Sequence, residues 1–195
     1  MNPIVVIAGS AGALVPLRRI LAAMPIPCAA SVFVVRHIGR SRSTLPALIA
    51  RSSSLPASFA KDCDRIEAGR IYIAPPDQHM VLEHDRIRLT HDPKVNGTRP
   101  AADPLFQSAA KFHGKRVVGI VLSGGDGDGA EGLRAIKQHG GTALVQDPGD
   151  AAMPYMPRTA LMRDHPDASL TSPELAHRVA TLEHDSFRLK QSCSS

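Results

Sequence analysis

Three kinds of side chain that together can move an acyl group stand just beyond three apolar runs of this chain. Ser10 follows IVVIA (4–8), His37 follows SVFVV (31–35), and Asp126 and Asp128 follow VVGIVL (117–122) in the glycine-dense segment VLSGGDGDGAEGL (121–133). A hydroxyl is a poor nucleophile at neutral pH until a base takes its proton. An imidazole suits that task because its ordinary pKa lies near the working pH. A carboxylate on the other ring nitrogen fixes the tautomer and stabilises the imidazolium. Ser10, His37 and either Asp126 or Asp128 supply one of each. Ser10 also opens onto a helix-like segment, whose unpaired N–H groups would stabilise an oxyanion. Each residue has a plainer use: Ser10 as a cap or phosphate-cradle residue, His37 as a surface polar group, Asp128 as the cap of the helix that follows it.

The elements that must position these groups alternate between strand and helix. ALVPLRRILAAM reads as a helix with Pro16 early in it, where the missing N–H costs least, and Pro25 and Pro27 stop it. A second helix runs through STLPALIARS, with Ser43 or Thr44 as its cap. The middle, from about 56 to 92, reads as short strands at GRIYIAPP and a hairpin through HMVLEHDRIRLT that turns near His84-Asp85. ADPLFQSAAKF is a helix whose Asp103 suits the N-terminus, and GAEGLRAIKQHG is one ended by Gly140 and Gly141. TALVQ (142–146) is a further strand, and PRTALMRD and PELAHRVATLEHD are helical, the latter capped by Ser172 with Pro173 first inside it. Uniformly apolar strands alternating with helices predict an α/β, doubly wound, mainly parallel, Rossmann-like sheet with a small β-hairpin insertion. In such sheets catalytic groups collect beyond the carboxyl ends of the strands, where strand order reverses.

Bulk properties narrow the function. The 195 residues suit one domain, expected over 1–185 with a disordered tail at 186–195. With no Trp and two Tyr there is no base-stacking platform, and the +5 net charge is spread out apart from RHIGRSRS (36–43), so no nucleic-acid partner is expected. Cys28, Cys63 and Cys193 show no metal spacing and are odd in number, which fits a reducing cytoplasm. No run approaches the roughly 18 apolar residues that span a bilayer, so no membrane insertion is expected. A calcium hand starting at Asp126 fails at Ala130 and Lys137. An NADP site is the rival reading: VVIAGSAGA follows the first strand, and Arg36, Arg40 and Arg42 lie near the end of the second. Yet Gly9, Gly12 and Ala13 break the G-x-G-x-x-G spacing, and that reading leaves the 123–129 loop unused.

The blocks IVVIAGSAGAL, VVRHI, GRIYIAPPDQHMVL, VNGTRPAADPLFQSAA, GIVLSGGDGDGAEGL and QDPGDAAMPYMPRTAL, in this order, resemble the catalytic domain of bacterial chemotaxis protein-glutamate methylesterases (CheB-type). The resemblance runs from Ile4 to about Leu182. It implies Ser10 as nucleophile, His37 as base and Asp128 as the triad carboxylate, with backbone N–H groups of Ala11 and Gly125 as the oxyanion hole. It implies hydrolysis of glutamyl methyl esters on the cytoplasmic helices of methylated chemoreceptors, glutamine deamidation in some members, and no cofactor or metal. A catalytically weak receptor-binding or regulatory module is the non-enzymatic alternative.

The sequence also departs from the family pattern. S-A-G-A replaces the usual S-T-G-G, placing Ala11 and Ala13 where a threonine and a glycine are expected. Gly125 stands for a methionine, and Asp126 for a glycine, which brings an extra negative charge expected to raise the pKa of His37 or Asp128 or to repel an anionic product. The chain starts three residues before the first catalytic-domain strand, so the resemblance implies no receiver domain and no phosphorylation control in cis.

Overall fold

Ile4–Gly9 (β1) is buried at every position and lies at the middle of a seven-stranded sheet. It pairs in parallel with Ser31–Arg36 (β2) on one side and Val117–Val121 (β7) on the other. Beyond β2 come Ile71–Ile73 (β4) and then Ala57–Phe59 (β3); beyond β7 come Thr142–Gln146 (β8) and Ala168–Leu170 (β9). Every pairing in this sheet is parallel. Strand order reverses between β1 and β7, which makes that edge the topological switch point. The structure, a computed structural model, describes residues 2–37 and 44–182.

Alternation along the buried strands fills two cores. Ile4, Val6 and Ala8 face one side, where they meet Leu105 and Phe106 of Ala102–His113 (α3), Leu133 and Ile136 of Ala130–Gln138 (α4), and Ala160 of Tyr155–Asp164 (α5). Val5 and Ile7 face the other, against Leu17 and Ile20 of Leu14–Ala22 (α1), Ile49 of Leu45–Ala50 (α2), and Leu175 and Val179 of Ser172–Ala180 (α6). A sheet covered on both faces needs strands apolar along their buried length, as β1, β7 and residues 32–35 of β2 are. The antiparallel hairpin His79–Glu83 (β5) and Arg86–Thr90 (β6) is separate and rests on α3. Its turn takes His84 to a left-handed φ of 45°.

The α/β class, the sheet and the hairpin match the sequence expectation, with local differences. Ile71–Ile73 belongs to the main sheet and not to the insertion, since all three side chains are buried. β3 and β9 are three-residue edge strands that the sequence pattern does not reveal. The α4 terminus is a Schellman motif: Gly140 is at φ 78°, and the Gly140 and Gly141 amides bond the Lys137 and Ile136 carbonyls, both at 2.9 Å. Ser172 does not cap α6; Thr171 does, in a capping box with Glu174. Ser172 instead accepts a 2.9 Å bond from Arg19, tying α6 to α1. Thr44 occupies the N-cap position of α2 without a side-chain capping bond. Ser43, Arg40 and Arg42 and the expected tail at 186–195 lie outside the described residues. Among the described residues no helix is long and apolar enough to cross a membrane.

Candidate active site

The backbone ladder carries the three polar clusters past their strand ends side by side. The Ser10 amide donates to the Ser123 carbonyl at 2.9 Å, and the His37 amide donates to the Gly9 carbonyl at 3.1 Å. Ser10, His37 and the 123–129 loop therefore share one edge of the sheet, at the switch point. The turn after β1 is tight. Gly12 takes φ 78°, and a Cβ on it would lie 2.6 Å from the Ser123 hydroxyl and 2.8 Å from the Ala152 methyl. The Ser123 hydroxyl donates to the Ala11 carbonyl at 2.8 Å and accepts from the Met153 amide at 2.8 Å, so one buried side chain joins three loops. A Cβ on Gly124 would lie 1.9 Å from the Met156 sulfur and 3.0 Å from the Ser10 Cβ. Only glycine lets this loop lie against the serine.

His37 lies between two carboxylates. Its Nε2 is 2.8 Å from Asp128 Oδ2 and its Nδ1 is 2.9 Å from Asp126 Oδ2. Carboxylates accept, so this geometry calls for a proton on each ring nitrogen and hence an imidazolium. Burial alone would pull the pKa of the ring down; the hydrogen bonds and charges of Asp126 and then Asp128 outweigh it and raise it to about 9. The expected effect of the extra charge thus falls on His37. Burial pushes the Asp126 carboxyl up, but its bond to His37, the ring's charge and the Asp128 amide hold it below the usual range. No hydrogen bond joins the Ser10 hydroxyl to His37. Among the described residues, the Ala11 and Gly125 amides donate to no protein group.

Asp128 is fixed from four directions. It accepts from His37, from Asn96 Nδ2 at 3.1 Å, from the Asp103 amide at 3.2 Å and from the Ala102 amide. The last two are free N–H groups of the α3 N-terminus, an electropositive site that favours a carboxylate. Asp103 repeats the pattern in reverse, its Oδ1 accepting from the Gly129 and Gly132 amides of α4 at 3.1 and 2.8 Å. Each aspartate thus caps the other's helix. Asp103 lies in the first turn of α3, the N-terminal place expected for it, while the plainer use of Asp128 as cap of the helix that follows it does not hold: neither helix has a local side-chain cap. The exchange requires close packing of α3 on α4, and a Cβ on Gly132 would lie 2.4 Å from the Phe106 Cβ. Asp103 is 5% exposed, and burial followed by the charge of Asp128 raises its pKa to about 6.

Sequence reasoning did not single out Asn96 or Thr98. Asn96 bridges Asp103, at 2.9 Å, and Asp128; the Thr98 hydroxyl is 3.5 Å from His37 Nε2. Both lie in VNGTRP, where Asn96 at φ 51° followed by Gly97 at φ 76° is a turn signal that was available. Among the described residues no group of three or more His, Cys, Asp or Glu side chains is arranged to hold a metal ion.

Comparison with known proteins bears on the family and the fold. A CheB methylesterase family model matches residues 5–179. A relative from Leptospira interrogans is 32% identical over 185 residues, 94% of this chain and 96% of its own length. A protein-glutamate methylesterase/protein-glutamine glutaminase of Anaeromyxobacter dehalogenans is 37% identical over 92% of this chain, which spans only 53% of that relative's length. The crystal structure of the Thermotoga maritima CheB methylesterase catalytic domain superposes with a TM-score of 0.90 at 27% identity, covering 93% of this chain and 99% of that one. A seven-stranded parallel sheet carrying serine, histidine and aspartate at one edge, matched over nearly its whole length in sequence and in structure, belongs to the CheB methylesterase family.

Proposed function

We propose that this chain is a serine hydrolase that removes methyl esters from glutamyl residues of chemoreceptors, acting on their cytoplasmic helices in chemotaxis-type signalling. Ser10 is the nucleophile, His37 the base and Asp128 the group that orients and charges it. The observation that carries this reading is the 2.8 Å contact of His37 Nε2 with a fully buried Asp128, at the strand edge that also bears Ser10. With His37 neutral, Ser10 Oγ attacks the ester carbonyl while the ring accepts the hydroxyl proton. The tetrahedral oxyanion is held by the Ala11 and Gly125 amides. The ring returns the proton to the departing methoxide, giving methanol and an acyl-serine. Water, deprotonated by the same ring, then attacks the acyl carbon, and the proton passes to Ser10 Oγ as glutamate leaves. An amide in place of the ester would release ammonia by the same steps, in keeping with the double name of the Anaeromyxobacter relative.

Occupation of both His37 nitrogens by carboxylates favours one alternative, a receptor-binding module that turns over poorly. Methanol release from methylated receptor separates the two. The wild-type chain is expected to release it, and Ser10→Ala to lower the rate by at least about 10³-fold with unchanged circular dichroism. Full activity in Ser10→Ala overturns the nucleophile assignment. Receptor binding without any methanol release establishes the module.

A further inference from the structure

Both ring nitrogens of His37 are committed, yet a triad needs one of them for the serine. Asp128 holds Nε2, which leaves Nδ1 for Ser10, and Nδ1 is held by Asp126 at 2.9 Å. Turning the ring by 180° exchanges the nitrogens without freeing either. We infer that Asp126 is a positioning residue that latches His37 in the unliganded protein, occupying the ring nitrogen that Ser10 requires until that contact is exchanged for the serine hydroxyl. This rests on the proposed roles of Ser10 and His37.

The two carboxylates are mounted differently, and only one is built to let go. The Asp128 side chain is fully buried, with two backbone amides and Asn96 on its oxygens besides His37. Asp126 is 30% exposed, sits between Gly125 and Gly127, and has one other bond, a 3.1 Å contact from the Asp128 amide to its Oδ1. Its release needs no helix to move. Release breaks the Nδ1–H···Oδ2 bond and the Nδ1 proton passes to solvent; the Ser10 hydroxyl then donates to the bare nitrogen. Charged groups facing the ring among the described residues are Asp126 and Asp128, with Asp103 behind Asp128; Thr98 offers only a hydroxyl. With no cation among them, the imidazolium is strongly favoured, and the raised pKa agrees with the geometry.

The test uses a fluorophosphonate probe that labels activated serines, followed by mass spectrometry across pH 5–10, together with ¹⁵N NMR titration of His37. In the wild type, labelling of Ser10 is expected to climb about tenfold per pH unit and level off near pH 9. Asp126→Gly is expected to bring the His37 midpoint and the labelling midpoint down together by at least one unit and to raise labelling at pH 7 about tenfold or more. Asp126→Asn, which keeps the side-chain volume, must move both midpoints in the same direction. Unchanged midpoints in both variants, with Ser10 still labelled, overturn the latch and leave the esterase reading standing. Loss of labelling in both variants while His37 titrates lower makes Asp126 part of the required machinery and also overturns the latch. A Ser10 that no form labels removes the reading on which the latch rests.

Discussion

Asp126 and Asp128 are two residues apart, touch the same imidazole and bear the same charge, yet they belong to different parts of the structure. Asp128 is bound into the N-terminus of α3 and is fully buried; Asp126 stands at the loop's surface with little besides the ring to hold it. Distance to the histidine does not separate them, at 2.8 and 2.9 Å. What separates them is what else would have to move. A carboxylate that satisfies two helix amides cannot leave without orphaning them, whereas one flanked by glycines can.

The largest expected difference is in catalysis. Asp128→Asn should lower kcat by about 10⁴-fold, because an amide no longer compensates the imidazolium or fixes its tautomer. It should also cost about 1–3 kcal/mol of stability, since an amide N–H placed at Oδ2 would face the Ala102 N–H. Asp126→Asn should shift urea-induced unfolding by less than about 0.5 kcal/mol at pH 10, where His37 is neutral, and by about 1 kcal/mol more at pH 7, where the imidazolium loses a carboxylate partner. Equal losses of stability in the two variants would break the contrast.

Asp103 sharpens it next. Its pKa is raised from 3.8 to about 6, so the native state binds its proton more tightly than the unfolded chain does. The stability this group contributes is fully present below pH 3.8 and is lost as pH rises through about 6. Asp103→Asn should lack that dependence, seen as a flatter plot of urea midpoint between pH 4 and 7. At neutral pH the variant should still be weaker by roughly 1–2 kcal/mol, because its amide would face the Asn96 amide. A modest effect is expected from Asn96→Ala, which removes one hydrogen bond from each of the two buried aspartates. A loss of about 1 kcal/mol and a several-fold drop in kcat, with KM little changed, would be seen in denaturation and steady-state assays.

The sequence made the frame of this molecule readable because burial on both faces leaves a continuous apolar signal, as in IVVIA, SVFVV and VVGIVL. The hairpin turn at His84 and the Gly140-Gly141 stop were equally legible, since each depends on local backbone chemistry. Ala57–Phe59 and Ala168–Leu170 were not; three-residue edge strands that are only partly buried carry no period. Within the site, residue types and strand ends pointed to Ser10, His37 and an aspartate. The crossing of caps between α3 and α4 had no sequence signal, because each carboxylate bonds amides some 25 residues away. The extra charge of Asp126 was visible as a departure from the family pattern. Its capture of the second ring nitrogen was not.

Ser123 has a mechanical consequence. Its hydroxyl pins the Ala11 carbonyl to the Met153 amide, and the Met153 side chain is 45% exposed at the rim, near Tyr155 at 60%. Drawing that rim outward would tug the peptide unit next to Ser10. A protein substrate pressing on Met153 would load this link beside the nucleophile, whereas a small soluble ester would not reach it. Turnover of the two should part company when Ser123 is replaced by alanine.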